Sequence, residues 1–333
     1  MHKTIRWGIL GTGQIAHAFA QGLRDTPDAQ LSAIGSRNIS NAQTFAEEYD
    51  VPKAYGDYAS LITAPDIDVI YIATPHSAHA ENMRACLLAG KAILCEKPFT
   101  LNHREANEIV ELAKQRGLFV MEAMWTRFLP AIRHAKHLVE TGVIGMPLQV
   151  QADFGYAATV DEHHRILNPA LGGGALLDVG IYPLSIAAYF LGEIADAHAH
   201  AKLANTGVDT QTAFTILHKN GGISSCQCST VTQTRTAMTI SGSLGVIEIH
   251  QPFYKAQQIT VISNDGAAQA ISLPYLGNGY THEAIEVGEC LRHGLLESPI
   301  MQLSETLSQM HWMDAIRKQI GVQYPTDVLP IAQ

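Results

Sequence analysis

The sequence predicts two successive parts: a doubly wound parallel α/β sheet over residues 1–124, then an α+β part over 125–333 with a large, open, mainly antiparallel sheet. Three observations predict this. Short apolar runs alternate with helical patterns up to residue 124. Longer alternating runs replace them beyond residue 140. The 333 residues also exceed the roughly 250 to 300 that one core serves.

In the first part, the runs 5–10, 31–35, 69–73, 92–95 and 118–121 read as strands. Between them Ala42, Phe45, Ala46 and Tyr49 share one helical face, as do Ala106, Ile109, Val110 and Ala113. Asn102 followed by Glu105 makes a capping box, and Gly117 is placed to end that helix. In the second part a helix is expected around 129–140 and strands at 148–154, 212–217, 223–231, 238–241 and 258–263. The apolar run 175–191 reads as a buried helix, and 282–292 and 304–320 as closing helices.

Hydrophobic residues at 47% and charged residues at 16% supply two cores and leave no disordered stretch. A formal charge of -9, without any Lys/Arg-rich stripe, lacks the footprint that phosphate-backbone binding requires, so nucleic acid is not expected as a partner. No run is read as a membrane span of about 20 apolar residues. The start has neither an apolar signal core nor a twin-arginine pair. Cys86, Cys95, Cys226, Cys228 and Cys290 are odd in number and scattered, which suits a reducing compartment. A cytoplasmic protein is expected.

Gly11-Thr12-Gly13-Gln14-Ile15-Ala16 follows the first strand and opens a helix. The first glycine permits the tight turn, the second lets a pyrophosphate approach the backbone, and small Ala16 allows close helix packing. The helix N-terminus adds N–H donors and positive potential. This context makes the first part a dinucleotide-binding Rossmann domain, with Gly11, Gly13, Gln14 and Ile15 at the cofactor. About twenty residues on, a carboxylate would hold the ribose of NAD; the sequence has Ser36-Arg37-Asn38 instead. Arg37 suits the 2′-phosphate of NADP, and Ser36 can donate to it, so NADP is expected over NAD.

Thr74-Pro75-His76-Ser77-Ala78-His79 and Cys95-Glu96-Lys97-Pro98 stand where strands end, the position at which open α/β sheets bind ligands. With the glycine motif and the segment from Gly172 to Tyr182, these residues make the chain resemble the Gfo/Idh/MocA oxidoreductase family over nearly its whole length. The likeness is to the branch of dimeric dihydrodiol dehydrogenases and NADP-dependent D-xylose dehydrogenases. It is carried by the segment from Glu122 to Phe128, the two histidines of 74–79 and Asp178 to Tyr182. The resemblance implies a sheet used for substrate binding and for homodimer formation. It places Lys97 near the nicotinamide and makes Tyr182 the proton-transfer residue; by their place at the strand ends, Thr74 and Glu96 are expected at the cofactor, and His76 and His79 at the cofactor or the substrate.

Oxidising an alcohol needs a hydride acceptor and a group for the hydroxyl proton. A free phenol, with pKa about 10, is a weak base at neutral pH, and the Lys97 cation would favour its ionised form. Asp178, four residues before Tyr182, is expected on the same helical face, holding Lys97 or a substrate hydroxyl. Trp125, Phe128, Phe154 and Tyr156 offer an apolar wall for a sugar or a cyclic diol. Arg127 is either a polar anchor for substrate or the partner of a structural carboxylate. No metal site is expected: His76 and His79 are loosely spaced, and His163-His164 reads as a solvated loop. The expected activity is NADP-dependent oxidation of a sugar, polyol or cyclic diol. The alternatives are an NADPH-dependent carbonyl or aldose reductase and a non-enzymatic NADP-binding regulator; Lys97 and Tyr182 together argue for catalysis.

Overall fold

A computed structural model describes residues 3–328. The first sheet contains β1 (Ile5–Leu10), β2 (Ala29–Gly35), β3 (Lys53–Tyr55), β4 (Val69–Ile72), β5 (Ala92–Glu96) and β6 (Val120–Ala123). All pairs are parallel and the order is β3-β2-β1-β4-β5-β6, the doubly wound arrangement whose order reverses between β1 and β4. β1, β4 and β5 are almost wholly buried, as strands covered on both faces must be. The capping box is present: Asn102 Oδ1 accepts from Glu105 N at 3.0 Å, and Glu105 reaches back to Leu101 N at 3.2 Å. Gly117, at φ +62°, closes that helix.

The described residues pack as two units, 3–128 with 275–307, and 129–274 with 308–328. The division differs from the one expected at residue 124. The stretch 125–128 belongs with the first sheet, and so does the returning segment with helix Tyr280–Arg292. In that segment Asn278 Nδ2 donates to Ala18 O at 2.7 Å and Thr281 Oγ1 to Gly22 O at 3.0 Å. Gly22 admits the approach, since a Cβ there would lie 2.9 Å from Asn278 Oδ1. Hydrophobic periodicity locates a helix in the chain but does not say which sheet it covers.

The second unit holds an eight-stranded sheet of β7 (Pro147–Gly155), β8 (Ile194–Leu203), β9 (Asp209–His218), β10 (Ile223–Ser229), β11 (Met238–Gly242), β12 (Gly245–Ile249), β13 (Gln258–Ser263) and β14 (Ala268–Ser272). Its order is β14-β13-β12-β11-β7-β10-β9-β8, and only β7 with β10 is parallel. β3, β8, β12 and β14 were not among the expected strands. β8 and β14 are edge strands built of Ala, His and Gln with little to bury, so they lack the apolar alternation that marks the others. Val150, Phe214, Ile216, Cys226, Cys228 and Ile240 face inward, toward helix Ile181–Leu191. That helix is buried at every residue except Ala188, which explains a run apolar on all sides. Pro169–Leu191 is in fact long and apolar enough to cross a membrane, contrary to the expectation, but it lies mostly inside the fold.

Among the described residues, the opposite face of the sheet carries exposed Gln151, His198, Thr215, Ser225 and Gln227, with exposed Leu217 and Ile223 at one end.

Candidate active site

In the first unit, Gly11 takes φ +104°, a conformation reserved for glycine, and a Cβ on it would come within 2.8 Å of Ala73 O. Gly13 caps helix Gln14–Arg24 without any side-chain cap, no acidic residue sits in the first turn, and the space where its Cβ would point is open. Gly13 and Gln14 are exposed and Ile15 half-buried at this N-terminus, while Ala16 is buried behind it. Free N–H donors, positive helix potential and no carboxylate fit a pyrophosphate.

At the end of β2, Ser36 is buried and its Oγ accepts from Asn38 N at 3.3 Å, which leaves its O–H to donate. Arg37 is exposed and reaches the Tyr58 hydroxyl; burial raises the Tyr58 phenol, and the guanidinium beside it opposes the rise. A cation and a hydroxyl thus stand where a ribose-binding carboxylate would otherwise be.

The loops after β4 and β5 are tied together by His79. Its ring is fully buried, with Nε2 2.9 Å from Thr74 O and Nδ1 2.9 Å from Pro98 O. Both nitrogens thus face backbone carbonyls, to one of which a neutral ring can donate, and His79 ties the two loops together. Burial lowers its pKa, opposed by the carbonyl contacts. Asn82 Nδ2 holds Thr74 Oγ1 at 3.0 Å, and half-buried His76 lies 5.8 Å ring to ring from His79. Glu96 is likewise committed to the protein: the Tyr71 hydroxyl donates to one oxygen and Lys97 N to the other at 3.2 Å. Its carboxyl is pushed up by burial, against the pull of Lys97.

Two buried acids here were not singled out in the sequence. Glu122 accepts from Phe99 N and Thr306 Oγ1, each at 3.0 Å, and burial pushes its carboxyl up to about 7. Glu283, fully buried, has no hydrogen-bond partner for either oxygen among the described residues, and burial, followed by nearby Glu96, raises its carboxyl well above the usual range. Arg127 is fully buried in an ion pair with Glu305, which favours its structural reading over a substrate anchor. Trp125, also buried, stacks on Tyr280 at 4.3 Å and 16° and so forms part of the core of the first unit.

In the second unit, Tyr182 is 7% exposed, its ring 5.2 Å from Phe154 and 5.9 Å from Tyr254. Phe154 and Tyr254 are stacked at 4.5 Å and 9°. Tyr254 lies in the 3-10 turn Phe253–Lys255, too short for a periodicity to announce it. Asp178 accepts from Tyr156 Oη at 2.6 Å and pairs with Arg165 at 3.1 Å. Residues Leu176–Gly180 are π-helical, so the regular spacing used to align Asp178 with Tyr182 does not apply there. Asp178 thus anchors Tyr156 and Arg165, and Tyr156 uses its hydroxyl instead of offering a plain apolar face. Asp161 Oδ1 caps the amides of His163 and His164. Among the described residues no group of three or more His, Cys, Asp or Glu could hold a metal ion.

A parallel sheet ordered 3-2-1-4-5-6, with an open helix N-terminus at its switch point, defines a dinucleotide-binding Rossmann architecture. Residues 5–124 match the oxidoreductase family with NAD-binding Rossmann fold, and 132–248 match the GFO/IDH/MocA C-terminal domain. The chain belongs to the Gfo/Idh/MocA oxidoreductase family. It is 38% identical over 337 residues to trans-1,2-dihydrobenzene-1,2-diol dehydrogenase of Bos taurus, covering 97% of this chain and 99% of that one. It is 35% identical to D-xylose 1-dehydrogenase (NADP(+)) of Hypocrea jecorina over 365 residues, covering 97% and 93%. Among solved structures, a 3-ketoreductase from Actinomadura kijaniata in complex with NADP and TDP-benzene superposes with TM-score 0.85 at 25% identity, covering 97% and 99%. An aldose-aldose oxidoreductase from Caulobacter crescentus gives 0.88 at 25%, covering 95% and 97%.

Proposed function

We propose that the protein is an NADP-dependent dehydrogenase that oxidises a hydroxyl of a sugar or cyclic diol, with Tyr182 taking the proton. Chain-long identity to a diol dehydrogenase and a D-xylose dehydrogenase carries the substrate class. Arg37 at the end of β2 supports NADP, as do the NADP named in one relative and the NADP bound in one solved structure.

A bound nicotinamide would supply the acceptor for the hydride of the alcohol carbon. Gly11, Gly13 and the helix N-terminus beside Gln14 and Ile15 bind the pyrophosphate, and Ser36 and Arg37 the 2′-phosphate. Thr74 and His76 line the same side, with His79 and Glu96 fixing the loops that carry Thr74 and Lys97. Tyr182 accepts the hydroxyl proton on its phenolate oxygen, which the ammonium charge of Lys97 favours. Phe154 and Tyr254 keep water from the phenol and give the ring or carbon face of the substrate an apolar surface. The same groups run in reverse as a carbonyl reductase, a direction favoured by the 3-ketoreductase likeness.

The test is to incubate purified protein with NADP or NAD and pentoses, hexoses or cyclic diols, following the absorbance of the reduced cofactor. Reduction with NADP by at least one class supports the proposal; silence across all three, with binding of NADP intact, refutes the substrate assignment.

The reading includes a cytoplasmic location, supported by five cysteines that are all buried and unpaired. It includes a homodimer through the exposed sheet face. That face is polar with an aliphatic end, and so resembles a wet interface more than a severed core. Light scattering at micromolar concentration is expected to give twice the chain mass, and Ile223→Arg to shift it toward the monomer; a wild-type monomer removes the proposal.

A further inference from the structure

The turn ahead of the Tyr182 helix is held from two distant parts of the chain. Gly174 takes φ +119°, and a Cβ on it would lie 2.5 Å from Asp209 Oδ1. Its missing side chain lets Asp209 close over the turn, where Oδ2 accepts from Leu176 N at 2.8 Å and from Thr212 Oγ1 at 2.6 Å. The helical segment beginning at Leu176 has no side-chain cap of its own, so Asp209 serves as a borrowed N-terminal cap. One residue earlier, Gly173 O accepts from the Tyr324 hydroxyl at 2.6 Å.

Tyr324 is itself clamped. It is 1% exposed, Arg317 lies over its ring at 4.7 Å, and Tyr324 N donates to Asp327 Oδ2 at 2.8 Å. Arg317 in turn donates to Asp327 at 2.7 Å, and its charge also reaches Asp209. Buried polar groups of this number cost desolvation and gain little stability over an apolar turn of the same shape; what they do supply is a single defined geometry. The geometry they define is the start of the helix on which Tyr182 stands less than two turns later. That helix is buried on nearly every side, so a shift at its start has no slack in which to dissipate.

We infer that Tyr324 and Asp209 are positioning residues for proton transfer at Tyr182, acting through the Gly173-Gly174 turn. The inference rests on the proposed role of Tyr182. Tyr324→Phe removes only the hydroxyl and keeps the ring under Arg317. It is expected to lower kcat about 10-fold while the NADP dissociation constant stays unchanged, because sub-ångström misplacement of a reacting group costs on that order. In a Tyr182→Phe background the same change is expected to lower kcat no further. Asp209→Ala is expected to act like Tyr324→Phe, and Asp209→Asn, which keeps an oxygen for Leu176 N, to restore most of the loss.

Turnover of Tyr324→Phe within about twofold of wild type would overturn the inference, leaving a latch that serves the fold alone. So would an equal loss in the Tyr182→Phe background. If Tyr324→Phe does not fold, the Asp209→Ala and Asp209→Asn pair decides by the same comparison. Wild-type turnover in Tyr182→Phe alone refutes the tyrosine role and the inference together, whereas a deep loss there with no effect of Tyr324→Phe refutes only the inference.

Discussion

Turnover of the Tyr182→Phe variant is expected to fall about 100-fold or more, with NADP affinity nearly unchanged. The substitution keeps a ring against the stacked Phe154 and Tyr254, so the aromatic packing survives and only the transferable proton is lost. Lys97→Met should lower turnover as well. The limb of the rate profile that follows phenol ionisation should vanish in Tyr182→Phe and move to higher pH in Lys97→Met, since removing a cation disfavours the phenolate. Steady-state kinetics across pH, with cofactor titration, checks both. Near-wild-type turnover in Tyr182→Phe would pass the proton to His76 or Lys97; His79 is not a candidate, because both its nitrogens face backbone carbonyls. An equal loss of cofactor binding would show that the ring is structural.

Arg37→Asp is expected to weaken NADP binding by about 1.5 to 3 kcal/mol, through loss of a charge-assisted hydrogen bond and added repulsion of the 2′-phosphate. NAD, which lacks that phosphate, should lose much less and could gain from a carboxylate beside its ribose hydroxyls. Arg37 is exposed and its backbone role is small, so the variant should fold normally. Isothermal titration with the two cofactors decides the matter: unchanged NADP affinity removes Arg37 from the site.

The parts of the site that the sequence displays are those made by neighbours in the chain. Gly11 to Ala16 are read as a strand, turn and helix because turn chemistry is local, and the structure has each in place. Arg37 is visible because it occupies a fixed distance from that motif. The partners of charged and polar side chains are different. Arg127 meets Glu305, 178 residues away, and Tyr324 meets Gly173, 151 residues away. No spacing rule links such pairs, so Arg127 stayed ambiguous and Tyr324 went unnoticed. Asp178 illustrates a second limit: an α-helical repeat was assumed where the backbone is π-helical, and that irregularity has no composition signature. Glu283 shows a third, since a glutamate in a helix reads as a solvated charge until its complete burial is seen.

The returning segment 275–307 also bears on how substrate preference could be exchanged among relatives. A chimera spliced once near residue 124 would take Asn278 and Thr281 from a foreign chain, and their bonds to Ala18 and Gly22 would depend on whether that chain supplied a matching pair and met a glycine at position 22. Grafting the catalytic half of one dehydrogenase onto the nucleotide half of another therefore calls for three seams, after residues 128, 274 and 307, so that the helix from Tyr280 travels with the sheet it covers.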